Sequence, residues 1–237
     1  MATFVLVHGA WHGGWCWERL LPLLEARGHR VEAPDLPGMG GDSTPFTRDV
    51  LAQWADHVAG LVAAAAEPVV LVGHSRGGLV ISEVAERVPE KLARLVYLTA
   101  FLLPAGDSLA ANVASRGPGV GPELVVDETT GTCTVKDGTH RAMFYHQCTE
   151  ADAAAAVARL CPEPLEPLAR GLRVTPGRFG RVPRAYIEAT EDQAITLPHQ
   201  RDMQALLPCA AVLTLPSDHS PFYSMPERLA AALDSLA

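Results

Sequence analysis

The sequence predicts one α/β domain: a mostly parallel six-stranded sheet with helices on both faces and an inserted cap. Three observations predict it. Short apolar runs rich in β-branched residues alternate with stretches of helical spacing, which is the signature of strand–helix–strand units. The links between them are short, as crossovers packed on a parallel sheet require. The alternation lapses once, over residues 103–182, a stretch too long for a plain loop and placed after a strand. The expected division is therefore a core of residues 1–102 and 183–237, with residues 103–182 as the cap. Of the 237 residues, 48% are hydrophobic and 19% charged, enough apolar surface for a sizeable core.

The elements follow in order. Thr3–Val7 is an apolar strand that ends in His8-Gly9-Ala10-Trp11-His12-Gly13-Gly14. Trp17 to Arg27 has helical spacing at Leu20, Leu21 and Leu24, with Gly28 as its C-cap. Arg30–Ala33 is the second strand, and Asp35-Leu36-Pro37-Gly38 its turn. Val50–Ala65 is a helix with Leu51, Trp54, Val58, Leu61 and Val62 inward. The third strand, Val69–Val72, runs into Gly73-His74-Ser75-Arg76-Gly77, and a helix follows through Val88. Leu95–Leu98 is the fourth strand, ending near Phe101. Inside the irregular region, Glu123–Val126 and Cys133–Val135 alternate around a Thr-Thr-Gly-Thr turn, and Glu150–Leu160 has helical character. Regularity resumes with a strand at Ala185–Ile187, a helix near Gln200–Leu206, a last strand at Ala211–Leu215 and a last helix at Pro226–Leu236.

Gly-x-Ser-x-Gly between a buried strand and a helix forces the serine out of the strand top into a cleft. Side chains at Gly73 and Gly77 would collide where helix and strand pass closely. The next backbone N–H, that of Arg76, lies at a helix N-terminus, where partial positive charge favours an anion. A serine used as nucleophile needs a base, and the base an orienting acid. In such folds these groups sit on loops at the carboxyl ends of strands. His219 follows the last strand and is the expected base. His8 precedes the serine, His74 abuts it, and His29, His57, His140 and His199 read as surface or helix-end residues. For the acid, Asp192 lies in the loop after the fifth strand, with Glu191 a close rival and Asp107 a distant one; Asp218 and Asp35 read as turn residues. The second oxyanion donor is expected in the loop after the first strand, at the Ala10 N–H, with Gly9 permitting close approach. The Arg76 side chain could meet an anionic group of a substrate, but reads first as solvated at the helix start. Trp11, Leu102, Phe144 and Phe222, with Gly9, are expected in the substrate pocket. His8 and His12 have no third ligand at zinc spacing, so neither metal nor cofactor is expected.

These residues resemble the α/β-hydrolase superfamily and, within it, the methylesterase/hydroxynitrile-lyase group. The resemblance rests on Phe4-Val5-Leu6-Val7-His8-Gly9-Ala10-Trp11-His12-Gly13-Gly14-Trp15-Cys16-Trp17, Gly73-His74-Ser75-Arg76-Gly77-Gly78, Thr190-Glu191-Asp192 and Ser217-Asp218-His219, with Phe144-Tyr145-His146 and Thr149-Glu150-Ala151-Asp152 in the inserted region. It implies Ser75, Asp192 and His219 as a triad, Ala10 and Arg76 as backbone oxyanion donors, a cap over the site, and Asp192 rather than Glu191 as the acid. Lyases of the group carry threonine where this chain has Gly9 and lysine where it has Ser220, so the resemblance implies ester hydrolysis through an acyl-enzyme. Plant members usually carry leucine at the position of Arg76, which leaves their substrates unassigned to this chain.

The expected partner is a small to medium, largely apolar or aryl ester. The formal net charge of −8 argues against nucleic acid. No run approaches membrane-spanning length, and no signal peptide is expected before the Thr3 strand. Five scattered cysteines without a C-x-x-C fit free thiols and a cytoplasmic location. A homodimer is compatible with the sequence. A lyase or cyclase of the same fold and a non-catalytic receptor are the alternative readings.

Overall fold

A computed structural model describes residues 1–237. The nine strands are β1 (Thr3–Val7), β2 (Arg30–Glu32), β3 (Val69–Ser75), β4 (Leu92–Ala100), β5 (Leu124–Asp127), β6 (Thr132–Val135), β7 (Glu163–Pro164), β8 (Arg184–Ala189) and β9 (Ala211–Leu215). Six of them form one sheet in the order β2-β1-β3-β4-β8-β9, every pair parallel. This is the α/β-hydrolase fold that the sequence implied. The ten helices are α1 (Leu21–Glu25), α2 (Val50–Ala64), α3 (Gly77–Arg87), α4 (Leu109–Ala114), α5 (His140–Phe144), α6 (Glu150–Val157), α7 (Glu166–Ala169), α8 (Leu197–Leu206), α9 (Pro221–Ser224) and α10 (Pro226–Asp234).

The period-2 alternation of the strands divides the core in two. Val5 and Val7 of β1, Val69 and Leu71 of β3, and Leu95 and Tyr97 of β4 face one way, onto Trp54 and Val58 of α2 and Leu79, Ile81 and Val84 of α3. Phe4 and Leu6, Val70 and Val72, and Val96 and Leu98 face the other way, onto Leu24 of α1 and Leu229 and Leu233 of α10. The central strands are buried on both faces, which is why β3 reads as an unbroken apolar run.

The sheet positions the end of β3. The glycines around Ser75 are required there: a Cβ on Gly73 would lie 2.7 Å from the Gly77 carbonyl oxygen, and one on Gly77 2.7 Å from that of Val7. The β3–β4 register shifts between His74 and Ser75. Ser75 itself has φ +53°, left-handed backbone of the kind concentrated at functional turns.

Between β4 and β8 the chain builds a second, antiparallel sheet in the order β5-β6-β7, with α4, α5, α6 and α7 around it. The β5–β6 hairpin turns at Thr129-Thr130-Gly131, as the alternating pattern predicts. Helices α4, α5 and α7 carry no sustained apolar period and have four to six residues each. The predicted Trp17–Arg27 helix is split: a 3-10 turn over Gly14–Trp17 precedes a short α1. The helix expected from Gln200 starts three residues earlier, where Pro198 falls in its first turn. No helix is long and apolar enough to cross a membrane.

Candidate active site

Ser75 stands at the carboxyl end of β3, Asp192 in the loop after β8 and His219 in the loop after β9. His219 Nδ1–H donates to Asp192 Oδ2 at 2.6 Å, both side chains being buried. Asp192 Oδ1 accepts from the backbone N–H groups of Ala194 (2.7 Å) and Ile195 (2.9 Å), and the Thr99 hydroxyl donates to Oδ2. Four donors thus hold the carboxylate and fix its orientation. The loop bearing His219 is pinned from the Ser75 side: His74 Nε2–H donates to the His219 carbonyl at 2.8 Å. Burial holds the His74 imidazole well below its ordinary pKa, so it is a neutral strut.

Ser75, His219, Ala10 and Arg76 all border one cavity of about 350 Å³. Its wall is apolar, with Trp11, Phe101, Phe144 and Ile195 near the polar end and Leu109, Val113 and Leu124 contributed by the region between β4 and β8. Of the expected pocket residues, Trp11 and Phe144 line this space. Leu102 and Phe222 do not. Leu102 packs into the core face shared with α2 and α3. Phe222 closes over Trp17 and His74, with ring centroids 5.1 and 4.9 Å away. Gly9 lies beneath Ser75 rather than on the wall: a Cβ there would lie 2.9 Å from the Ser75 Cβ.

The two peptide groups flanking the Ala10 Cα are held on three of their four polar atoms. The Gly9 carbonyl accepts from Arg76 Nη2 at 3.0 Å and from His8 Nδ1 at 2.9 Å. The His8 tautomer follows because its Nε2 accepts the Leu36 N–H at 3.2 Å. The Ala10 carbonyl accepts from His12 Nδ1 at 2.6 Å, while His12 Nε2 accepts from the Tyr145 hydroxyl at 2.6 Å. Burial pushes His12 down to about 4, which keeps it in the neutral form these bonds require. The Trp11 N–H donates to Glu163 Oε2 at 3.1 Å. Only the Ala10 N–H makes no hydrogen bond within the protein, and the Arg76 N–H is likewise free.

The Arg76 side chain is not solvated. It is fully buried, with Nε donating to Glu163 Oε1 at 2.8 Å and the guanidinium carbon 4.2 Å from the centre of the Trp54 ring. Burial pushes the Glu163 carboxyl up, against the pull of Arg76 and the Trp11 N–H. The rival acids are elsewhere: Glu191 is exposed and accepts from the Thr190 hydroxyl, and Asp107 is exposed. Asp218 is a buried anchor that accepts from Ser220 N, Ser224 Oγ and Gln147 N. His29 and His199, read as surface or helix-end residues, lie at helix ends and are buried; His29 bridges the Ala2 N–H and Asp234, and His199 meets Asn112 at 2.6 Å. Thr99 and Glu163 carried no motif. A hydroxyl ending β4 beside the acid loop is the only sequence signal for the first, and the second sits on a two-residue strand with none.

A parallel sheet carrying a serine at a strand–helix elbow, with histidine and acid on the following strand ends, defines the α/β-hydrolase class. The comparisons agree. The profile of the alpha/beta hydrolase family matches residues 4–232, and the chain belongs to that family. It is 36% identical to a pyrethroid hydrolase of Sphingobium wenxiniae, over 100% of this chain and 88% of that one. It is 34% identical to methylesterase 2 of Arabidopsis thaliana, over 99% and 95%. Among solved structures, a pyrethroid hydrolase from Sphingobium faniae superposes with a TM-score of 0.88 at 33% identity, covering 99% of this chain and 96% of that one. Polyneuridine aldehyde esterase superposes with a TM-score of 0.86 at 26% identity, covering 100% and 99%.

Proposed function

We propose that the chain is a serine hydrolase of carboxylic esters with Ser75, His219 and Asp192 as its triad. The observation that carries this reading is the His219–Asp192 hydrogen bond at 2.6 Å beside a cavity that Ser75 and two free backbone N–H groups also border. Asp192 fixes the tautomer with the proton on His219 Nδ1, leaving Nε2 to take the Ser75 proton as Oγ attacks the acyl carbon. The electron pair of the ester carbonyl moves onto its oxygen, which the Ala10 and Arg76 N–H groups receive. His219 returns the proton to the leaving alcohol. It then deprotonates a water that attacks the acyl-enzyme, releasing acid and free Ser75.

The substrate is a small to medium neutral ester with an apolar or aryl group. The cavity wall supports this, and the only cation bordering it, Arg76, has its side chain committed to Glu163. The relatives named as pyrethroid hydrolase and methylesterase are in keeping with it. Residues 103–182 serve as the cap that sets acyl and alcohol selectivity. Five unpaired cysteines fit a cytoplasmic enzyme.

The test is intact mass after treatment with a fluorophosphonate, beside Ser75→Ala, followed by a panel of esters. One adduct on the parent and none on the variant is expected, with turnover lowered by about 10³-fold or more. A folded parent that takes no adduct and turns over no ester in the panel refutes the proposal.

A further inference from the structure

Arg76 and Glu163 are 87 positions apart in sequence, one at the nucleophile elbow and the other on β7. Their contacts converge on one short stretch of backbone. Arg76 Nη2 donates to the Gly9 carbonyl, and Glu163 Oε2 accepts the Trp11 N–H. The Gly9 carbonyl and the Ala10 N–H belong to the same planar peptide group, so fixing the oxygen fixes the direction of the N–H. A charged donor on the carbonyl also polarises that peptide and strengthens its N–H as a donor. The next peptide needs a restraint of its own, because Trp11 has φ +62°, a region bulky residues rarely occupy. The Trp54 ring lies against the guanidinium, and Nε and Nη2 of Arg76 are spent on Glu163 and the Gly9 carbonyl.

We propose that Arg76 and Glu163 are a positioning pair for the oxyanion site: through the Gly9 carbonyl and the Trp11 N–H they set the orientation and donor strength of the Ala10 N–H. This rests on the hydrolase reading above. Neither side chain touches the reacting atoms, and the Arg76 backbone N–H survives replacement by methionine or lysine.

The informative variant is Arg76→Met with Glu163→Gln. Both replacements are close in volume and neutral, so no charge is left buried alone, and the glutamine oxygen still accepts the Trp11 N–H. The charged donor on the Gly9 carbonyl is lost, and His8 Nδ1 is left as the one donor to it. The readouts are kcat and KM for p-nitrophenyl butyrate, the affinity for a trifluoromethyl butyl ketone that serine converts to an oxyanion, and the melting temperature. Removing an oxyanion donor outright costs about 10²–10³ in kcat, so loosening one should cost about 10–100-fold. KM should stay within about twofold, and ketone affinity should fall in parallel with kcat, a split that loss of packing alone does not produce. A folded double variant with kcat and ketone affinity within about threefold of the parent overturns the pair. If the double variant does not fold, Arg76→Lys decides: it keeps the charge but lacks the fork that reaches Glu163 and Gly9 together. A fall in kcat of about 5-fold or more at constant KM is then expected, and parental kcat overturns the proposal. Absence of ester turnover in the parent refutes the hydrolase reading itself, whereas turnover in the parent with unchanged variants refutes the pair alone.

Discussion

Asp192→Asn isolates what the carboxylate does for the imidazole. The amide has one acceptor where the carboxylate has two, and two sets of partners compete for it. In one orientation the amide oxygen takes the Oδ1 place and still accepts from Ala194 N and Ile195 N. Its NH2 then faces the Thr99 hydroxyl, which can turn to accept, and His219 Nδ1. Nδ1 must accept as well, the ring proton moves to Nε2, and the base is lost. The opposite orientation keeps the productive tautomer but turns an NH2 against two buried backbone donors. Leaving those two unpaired costs about 1–3 kcal/mol each, about 2–6 kcal/mol together. At 1.4 kcal/mol per decade, the productive arrangement falls to between about one molecule in 30 and one in 10⁴. The upper end matches the loss of about 10⁴ that this change causes in a Ser-His-Asp triad. The assays are kcat/KM for p-nitrophenyl butyrate, the rate of fluorophosphonate labelling and the ring-nitrogen chemical shifts of His219, with thermal melting as the control for folding. Labelling within threefold of the parent, in a protein melting at the parental temperature, would refute this account of Asp192.

Two further outcomes are expected. In Gly9→Ala the new Cβ would lie 2.8 Å from His74 Nδ1 and 2.9 Å from Ser75 Cβ. His74 is tied to the His219 carbonyl, so the nucleophile or its loop must yield; kcat should fall about 10²-fold with a stability loss of about 1–3 kcal/mol, and unchanged kcat would contradict the packing. Acid should destabilise the fold before the carboxylates titrate. The unfolded chain protonates its histidines near 6.5, whereas burial holds His12 at about 4 and lowers His8 and His74 in the same direction. Stability that these neutral imidazoles confer is complete above about 6.5 and is lost as pH falls toward 4, about 3 kcal/mol from His12 alone. Calorimetry at pH 7 and pH 4.5 reads it as a fall in melting temperature, and equal values would contradict it.

The parts of this molecule legible in the sequence are those built from local pattern. The buried strand before Ser75 and the glycines around it each depend on neighbours a few residues away. The β5–β6 hairpin was legible for the same reason. What the sequence hid depends on distant pairing. Arg76 looked solvated because a charged residue at a helix start ordinarily is; only Glu163, brought in by β7, makes its burial tolerable. Phe222 and Leu102 were apolar residues beside the right loops, but α9 holds one against Trp17 and the other packs onto the α2–α3 face. Thr99, with φ +35° at the end of β4, bonds to an acid that reaches it only once β8 lies alongside.

The Arg76–Glu163 link also governs how this chain can change. Replacing either residue alone strands a charge in a dry interior, a loss of about 3–5 kcal/mol and a large share of the stability of an ordinary domain. Replacing both together leaves no such deficit. The segment between β4 and β8 is therefore not a freely exchangeable module: a graft without a carboxylate at the place of Glu163 would leave Arg76 buried without its partner. Elbow and insertion are thus coupled: a change at one is tolerated only with a matching change at the other.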